Sequence, residues 1–129
     1  MTSYGDRMAK AIRGTLHGNQ LPFLVTADAP GWPDFITLVH GNGSIARACY
    51  WTRDRRRAIT LEAVKDVCDQ LENALRDQYL YHAQRDQSQY HAQRLYLQEH
   101  REVAAATSRQ ALIDWRYARA SILPAGGAE

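Results

Sequence analysis

Tyr81-His82-Ala83-Gln84-Arg85-Asp86-Gln87-Ser88-Gln89-Tyr90-His91-Ala92-Gln93-Arg94 contains the pentapeptide YHAQR twice, nine residues apart. Nine residues are two and a half turns of an α-helix, so on one straight helix the two copies point to opposite sides. The segment therefore decides between a chain that turns near residue 86 and a chain that runs on as a rod. A single helix over residues 60–122 would be about 95 Å long, whereas a compact chain of this length has a radius of gyration of about 14 Å. The sequence reading favours two long helices folded as an antiparallel hairpin, with one long helix as the alternative. Asp86 and Ser88 can cap such a turn, although it lacks the glycine that usually marks one.

Outward from the repeat, the helical character is defined by punctuation. All four prolines and all eight glycines lie outside residues 44–123, leaving eighty residues without a helix breaker. Thr60 reads as a helix cap, with Glu62 in the first turn. Val64, Val67, Cys68, Leu71, Ala74, Leu75 and Gln78 then share one face, and Glu62, Asp66, Asp69, Asn73, Arg76 and Asp77 the other. Continued at the same pitch, the apolar stripe runs into His82, Arg85, Asp86, Gln89 and Gln93, and so lapses at the repeat. Farther on, apolar residues occupy two faces. Leu97, Ala104, Ala111, Trp115, Ala118 and Ile122 form one, and Leu95, Ala106, Ile113, Tyr117 and Ala120 form the other. A helix apolar on two faces calls for two partners.

The first half is punctuated. Residues 6–17 read as a short helix with Met8, Ala11, Ile12 and Leu16 on one face, weakened by Gly14 and ended at Gly18-Asn19. Residues 21–26 read as a strand that Pro22 confines to an edge or to its first positions. Residues 27–33, ADAPGWP, read as a loop. Two further apolar runs, 34–40 and 44–52, flank Gly41-Asn42-Gly43, where Asn-Gly supplies the positive φ angles of a tight hairpin. The expected fold is α+β: a short N-terminal helix and a small antiparallel sheet, a meander of about three strands, followed by two long helices. Residues 1–57 form the helix and sheet with a basic edge, 58–123 the long helical hairpin and 124–129 a flexible tail, together one structural domain.

Composition limits the functional classes. The chain has 129 residues, 45% hydrophobic and 23% charged, which suits an ordinary globular domain. The opening MTSYGDRMAK lacks the apolar stretch of a secretory signal, and no run reaches the length of a membrane span, so the expected location is cytoplasmic with no membrane partner. Residues 1–57 carry eight basic and four acidic side chains, and residues 58–123 eight and nine. Fourteen of the sixteen cations are arginine, which suits planar and stacked contacts.

Candidate chemistry is thin. His82, His91 and His100 recur every nine residues, which puts neighbours on opposite helix faces, whereas ligands sharing a metal need spacings of three or four. No metal and no cofactor is expected. Cys49 and Cys68 lack a disulfide framework and read as buried, inert thiols. No serine sits in an elbow motif, and no catalytic residue is assigned. The expected class is non-enzymatic protein binding: an adaptor, assembly factor or inhibitor that occupies a partner surface and forms a homodimer through its C-terminal helices. Its candidate interface is Tyr79, Tyr81, Arg85, Tyr90, Arg94, Leu95, Tyr96, Leu97, Ile113 and Tyr117, since tyrosine and arginine are enriched at interfaces. The alternative is nucleic-acid binding by Tyr50, Trp51, Arg53, Arg55, Arg56 and Arg57, where aromatic faces adjoin phosphate-seeking cations. Replacing Arg55, Arg56 and Arg57 by alanine should then abolish binding to single-stranded nucleic acid. Intact binding with an unchanged salt slope would remove the assignment.

Overall fold

In the computed structural model, residues 3–16, 22–50, 59–84 and 91–119 are described, with Gln84 and residues 91–101 described by backbone alone. The order is α1 (Tyr4–Thr15), β1 (Phe23–Ala29), β2 (Trp32–His40), β3 (Ile45–Cys49), α2 (Leu61–Gln84) and α3 (His91–Ala118). This is an α+β arrangement of one helix, a three-stranded antiparallel sheet in the order β1-β2-β3, and two helices.

Helix α1 begins earlier than the apolar spacing implies because Ser3 caps it. The Ser3 hydroxyl accepts from the Asp6 amide at 3.1 Å, satisfying one of the first-turn N–H groups that have no partner within the helix. Tyr4, Met8, Ala9 and Ile12 are buried beneath it. On the sheet, Arg13 Nη1 donates to the Val25 carbonyl of β1 at 2.6 Å.

The expected loop over residues 27–33 is instead a tight hairpin. β1 runs on to Ala29 and β2 starts at Trp32, leaving Pro30-Gly31 between them, with Gly31 at φ +82°. Two prolines in seven residues read as loop chemistry, but neither interrupts pairing. Pro30 is in the turn. Pro33 has no partner in register on either side, since the β1 ladder skips from Ile36 to Trp32 and the β3 ladder ends at Phe35 opposite Cys49, so its missing N–H leaves no rung unmade. An irregularity between Ala27 and Ala29 sets one β1 residue, Asp28 at φ 55°, against three of β2, Pro33 to Phe35. The Asp28 carboxylate steadies this geometry by accepting from the Asp34 amide at 2.7 Å and from the Tyr50 hydroxyl at 2.5 Å. Aspartate tolerates this backbone region better than most residues, and Asp34 occupies it too, at φ 67°.

The second hairpin falls where the sequence places it, but its turn differs. Only Gly43 takes positive φ, at +95°, not Asn42. Gly43 N–H donates to the His40 carbonyl at 2.9 Å and His40 N–H to the Ser44 carbonyl at 2.8 Å, a three-residue loop closed by a glycine bulge. Asn42 contributes its side chain, whose Oδ1 accepts from the Ser44 amide at 3.0 Å.

Strand alternation gives the sheet one inner face, made of Val25, Ile36, Leu38, Ala46, Ala48 and Tyr50, all buried. Helix α2 covers it with Val64, Val67, Cys68, Leu71 and Leu75, the stripe read from the sequence. Thr60 caps α2 as expected, its hydroxyl accepting from the Ala63 amide at 3.0 Å. Gln78, at the edge of that stripe, donates to the Ile45 carbonyl of β3 at 2.5 Å.

Helix α3 completes the core with Ala111, Leu112, Trp115 and Ala118. Trp115 is fully buried, its indole N–H 3.3 Å from the Cys68 carbonyl and its ring edge-on to Phe23 at 5.4 Å. On one continuous helix, residues 68 and 115 would lie about 70 Å apart. The Trp115 contact therefore excludes the rod, and α3 packs directly against α2. Arg119 fastens the same junction. Only 3% exposed, it donates to Glu72 at 3.0 Å and pairs with Asp69, while Arg116 reaches Glu72 at 3.3 Å.

Two glycines of α1 respond oppositely to alanine. A Cβ on Gly5 would lie 2.5 Å from the Tyr50 hydroxyl and 2.9 Å from the Asp28 carboxylate, whereas one on Gly14 meets nothing within 4 Å. Gly5→Ala should lower stability by about 1–3 kcal/mol through overpacking. Gly14→Ala should raise it by about 0.4–1 kcal/mol by restricting the unfolded chain. Urea denaturation of the two variants checks the pair.

Candidate functional site

Two groups with chemical potential, His40 and Cys68, are held within the packed interior. His40 is 6% exposed. Its Nδ1 accepts from the Asn42 amide at 2.9 Å, so the ring proton sits on Nε2, which donates to the Asp114 carboxylate at 2.7 Å. With both ring nitrogens occupied, His40 has no nitrogen left to act as a base. It fastens the end of β2 to α3, assisted by Asn42 Nδ2, which donates to the Thr107 carbonyl at 2.9 Å.

The thiols divide. Cys68 is buried, and burial pushes its pKa from 9.0 to about 12; Arg119 nearby pulls it down and Asp69 pushes it up, both to a smaller extent. Such a thiol is neither nucleophile nor metal ligand near neutral pH. Cys49 corrects the sequence reading: it is exposed, on the outer face of the sheet. Along β3 the side chain of Cys49 lies on the face opposite to Ala46 and Ala48, and those alanines face the core. Among the described residues, no three His, Cys, Asp or Glu side chains are grouped to hold a metal. No described helix is long and apolar enough to cross a membrane.

The candidate interface residues fall into three groups. Tyr79 is half-buried and Tyr81 is 62% exposed at the end of α2, beside Leu80. Ile113 and Tyr117 are 44% and 60% exposed on α3. Arg85 and Tyr90 lie outside the described residues, and Arg94, Leu95, Tyr96 and Leu97 lie on the α3 backbone with side chains outside the description. Of the alternative nucleic-acid set, Tyr50 is removed by its position. It is 5% exposed, packed 5.9 Å from the Tyr4 ring and bonded to Asp28, with no face open for a base. Trp51, Arg53, Arg55, Arg56 and Arg57 lie outside the described residues.

Sequence reasoning passed over two surfaces. The first is on α3, where Val103, Ala106, Gln110, Ile113 and Tyr117 are all exposed and follow one another at spacings of three, four, three and four. Ala106, Ile113 and Tyr117 were visible as a second apolar face; Gln110 was not, because it is polar, and Val103 was not, because it lies at the margin of that face at 100° per residue. The second is the outer face of the sheet. Leu24, Val39 and Ile45 form one cross-strand row, and Arg47 stacks 4.3 Å over the Trp32 ring, which meets Phe35 edge-on at 5.5 Å. The unexpected hairpin at Pro30-Gly31 puts Trp32 there, so a sequence reading with a loop at residues 27–33 had no means of finding it.

The chain matches no protein-family model, no curated protein and no solved structure.

The thiol environments give a direct measurement. With the native protein near pH 8, a thiol-specific alkylating reagent should modify Cys49 within minutes and leave Cys68 untouched until the chain is unfolded. Because the folded pKa of Cys68 lies above its unfolded value, this group's contribution to stability is complete below about pH 9 and declines as pH rises toward 12. Rapid native labelling of Cys68 would contradict the packing around Trp115.

Proposed function

We propose that the protein is a non-enzymatic protein-binding module that self-associates through its C-terminal helices and acts by occupying a partner's surface, as an adaptor, assembly factor or inhibitor. The observation that carries this reading is the second face of α3. Trp115, Ala111 and Ala118 are committed to the core on one side, while Val103, Ala106, Ile113 and Tyr117 meet water roughly opposite. Apolar side chains repeated along one exposed helix stripe mark a face awaiting another helix. The engagement of His40 and the burial of Cys68 favour binding over catalysis.

The helical hairpin belongs to the same proposal. Residues 68–72 meet residues 115–119, so the contact lies about 20 Å from the end of α2 and about 37 Å from the start of α3. Run in the same direction, the helices would leave residues 84 and 91 close to 60 Å apart, and six residues span about 25 Å at most. The antiparallel hairpin satisfies that limit.

Light scattering on the full chain across a concentration series tests the reading. The wild type should approach twice the monomer mass, and Ile113→Glu or Tyr117→Glu should return it to monomer with unchanged circular dichroism. A wild type that stays monomeric at high concentration would sink self-association. Capture from the native host with and without nuclease separates a protein partner from the nucleic-acid alternative.

A further inference from the structure

The spacing of the exposed stripe on α3 specifies more than an apolar face. Val103, Ala106, Gln110, Ile113 and Tyr117 occupy successive a and d positions of a heptad, a-d-a-d-a. Glu102, Arg109 and Arg116 then fall at g, and Thr107 and Asp114 at e. Resting on the self-association reading above, we infer that the occupant of this seam is α3 of a second copy of the chain, packed parallel and in register, with Gln110 against the partner's Gln110.

Two features select that arrangement. Gln110 places an amide in the middle of an otherwise apolar seam. Its Nε2 donates to Asp114 Oδ1 at 2.8 Å, but against an unrelated apolar helix its carbonyl oxygen and second N–H would lose water without gaining a partner, a costly burial. In an antiparallel pair, a positions face d positions, so Gln110 would meet Ala106 or Ile113 with the same result. Only the parallel pair, in which a faces a, brings amide to amide, and a polar a-position pair is a known device for fixing register and a two-stranded state.

The flanks agree. In a parallel pair each g residue faces the e residue five positions on in the partner, so Arg109 meets the partner's Asp114 and Glu102 meets the partner's Thr107. No like charges oppose. An antiparallel pair sets g against g, bringing Arg109 to the partner's Arg109 or Arg116. Asp114 already accepts from His40 on Oδ2 and from Gln110 on Oδ1, at 2.7 and 2.8 Å, and a carboxylate has about four lone-pair sites, so capacity remains for the arginine. Two heptads are short for a coiled coil, which makes the association weak and concentration-dependent.

The test uses full-length protein carrying Cys49→Ser, with Ile113→Cys in one preparation and Val103→Cys in a second. Each is oxidised mildly, alone and mixed, at a concentration where light scattering shows dimer. The expected result is efficient disulfide dimer in each preparation alone. Cross-linking only in the mixture, between Val103→Cys and Ile113→Cys, would establish an antiparallel seam and overturn the inference. Dimer mass without cross-linking in any arm would also overturn it while leaving self-association standing. Monomer mass throughout would remove both. Arg109→Glu, which sets like charges against the partner's Asp114, should weaken dimerisation several-fold without changing the monomer's stability.

Discussion

Trp115 holds the molecule together. Its ring sits edge-on to Phe23 of the sheet and its N–H points to the Cys68 carbonyl of α2, so one side chain joins three layers that are far apart in sequence. A buried aromatic of this size contributes roughly 3–5 kcal/mol relative to alanine, a large share of the stability of a small domain. The polar contacts of α3 are arranged around it. Asp114 binds His40 on one side of the tryptophan, and Arg119 binds Asp69 and Glu72 one turn further on. A buried guanidinium is tolerable only where carboxylates meet it. The ion pairs therefore set the rotation of α3 that the tryptophan's packing requires, and that rotation decides which residues remain outside.

What the sequence disclosed was what is encoded locally. The α2 stripe, its Thr60 cap and the hairpin at Gly41-Asn42-Gly43 all depend on residues within a turn or two of one another, and periodicity reads such patterns well. Residues 27–33 misled because proline is a breaker on average, while here Pro33 sits where no rung was needed. Cys49 and Tyr50 were misplaced for another reason. Alternation sorted β3 into two faces, but only the packing of α1, α2 and α3 shows that the face with Ala46, Ala48 and Tyr50 is covered. The His40–Asp114 and Arg119–Glu72 pairs join residues 74 and 47 positions apart and have no local signature at all.

The candidate surface divides in the same way. Ile113 and Tyr117 were recognisable as a second apolar face because helical periodicity is a property of the sequence alone. Val103 and Gln110 emerged only when the buried side of α3 was known, since a mixed polar and apolar row stands out as one exposed line once its opposite face is committed. Tyr81 and His82 lie in the last turn of α2 and His91 opens α3.

The two side chains that reach across to the sheet, Arg13 to the Val25 carbonyl on β1 and Gln78 to the Ile45 carbonyl on β3, also act as guards. A small sheet ends in two strands whose outward amides and carbonyls are templates for strand addition, the route by which such proteins stack into fibrils. Here a strand arriving at either margin must first displace a hydrogen bond made from within the domain, and at β1 that bond carries a full positive charge. Growth by sheet extension is discouraged on both flanks.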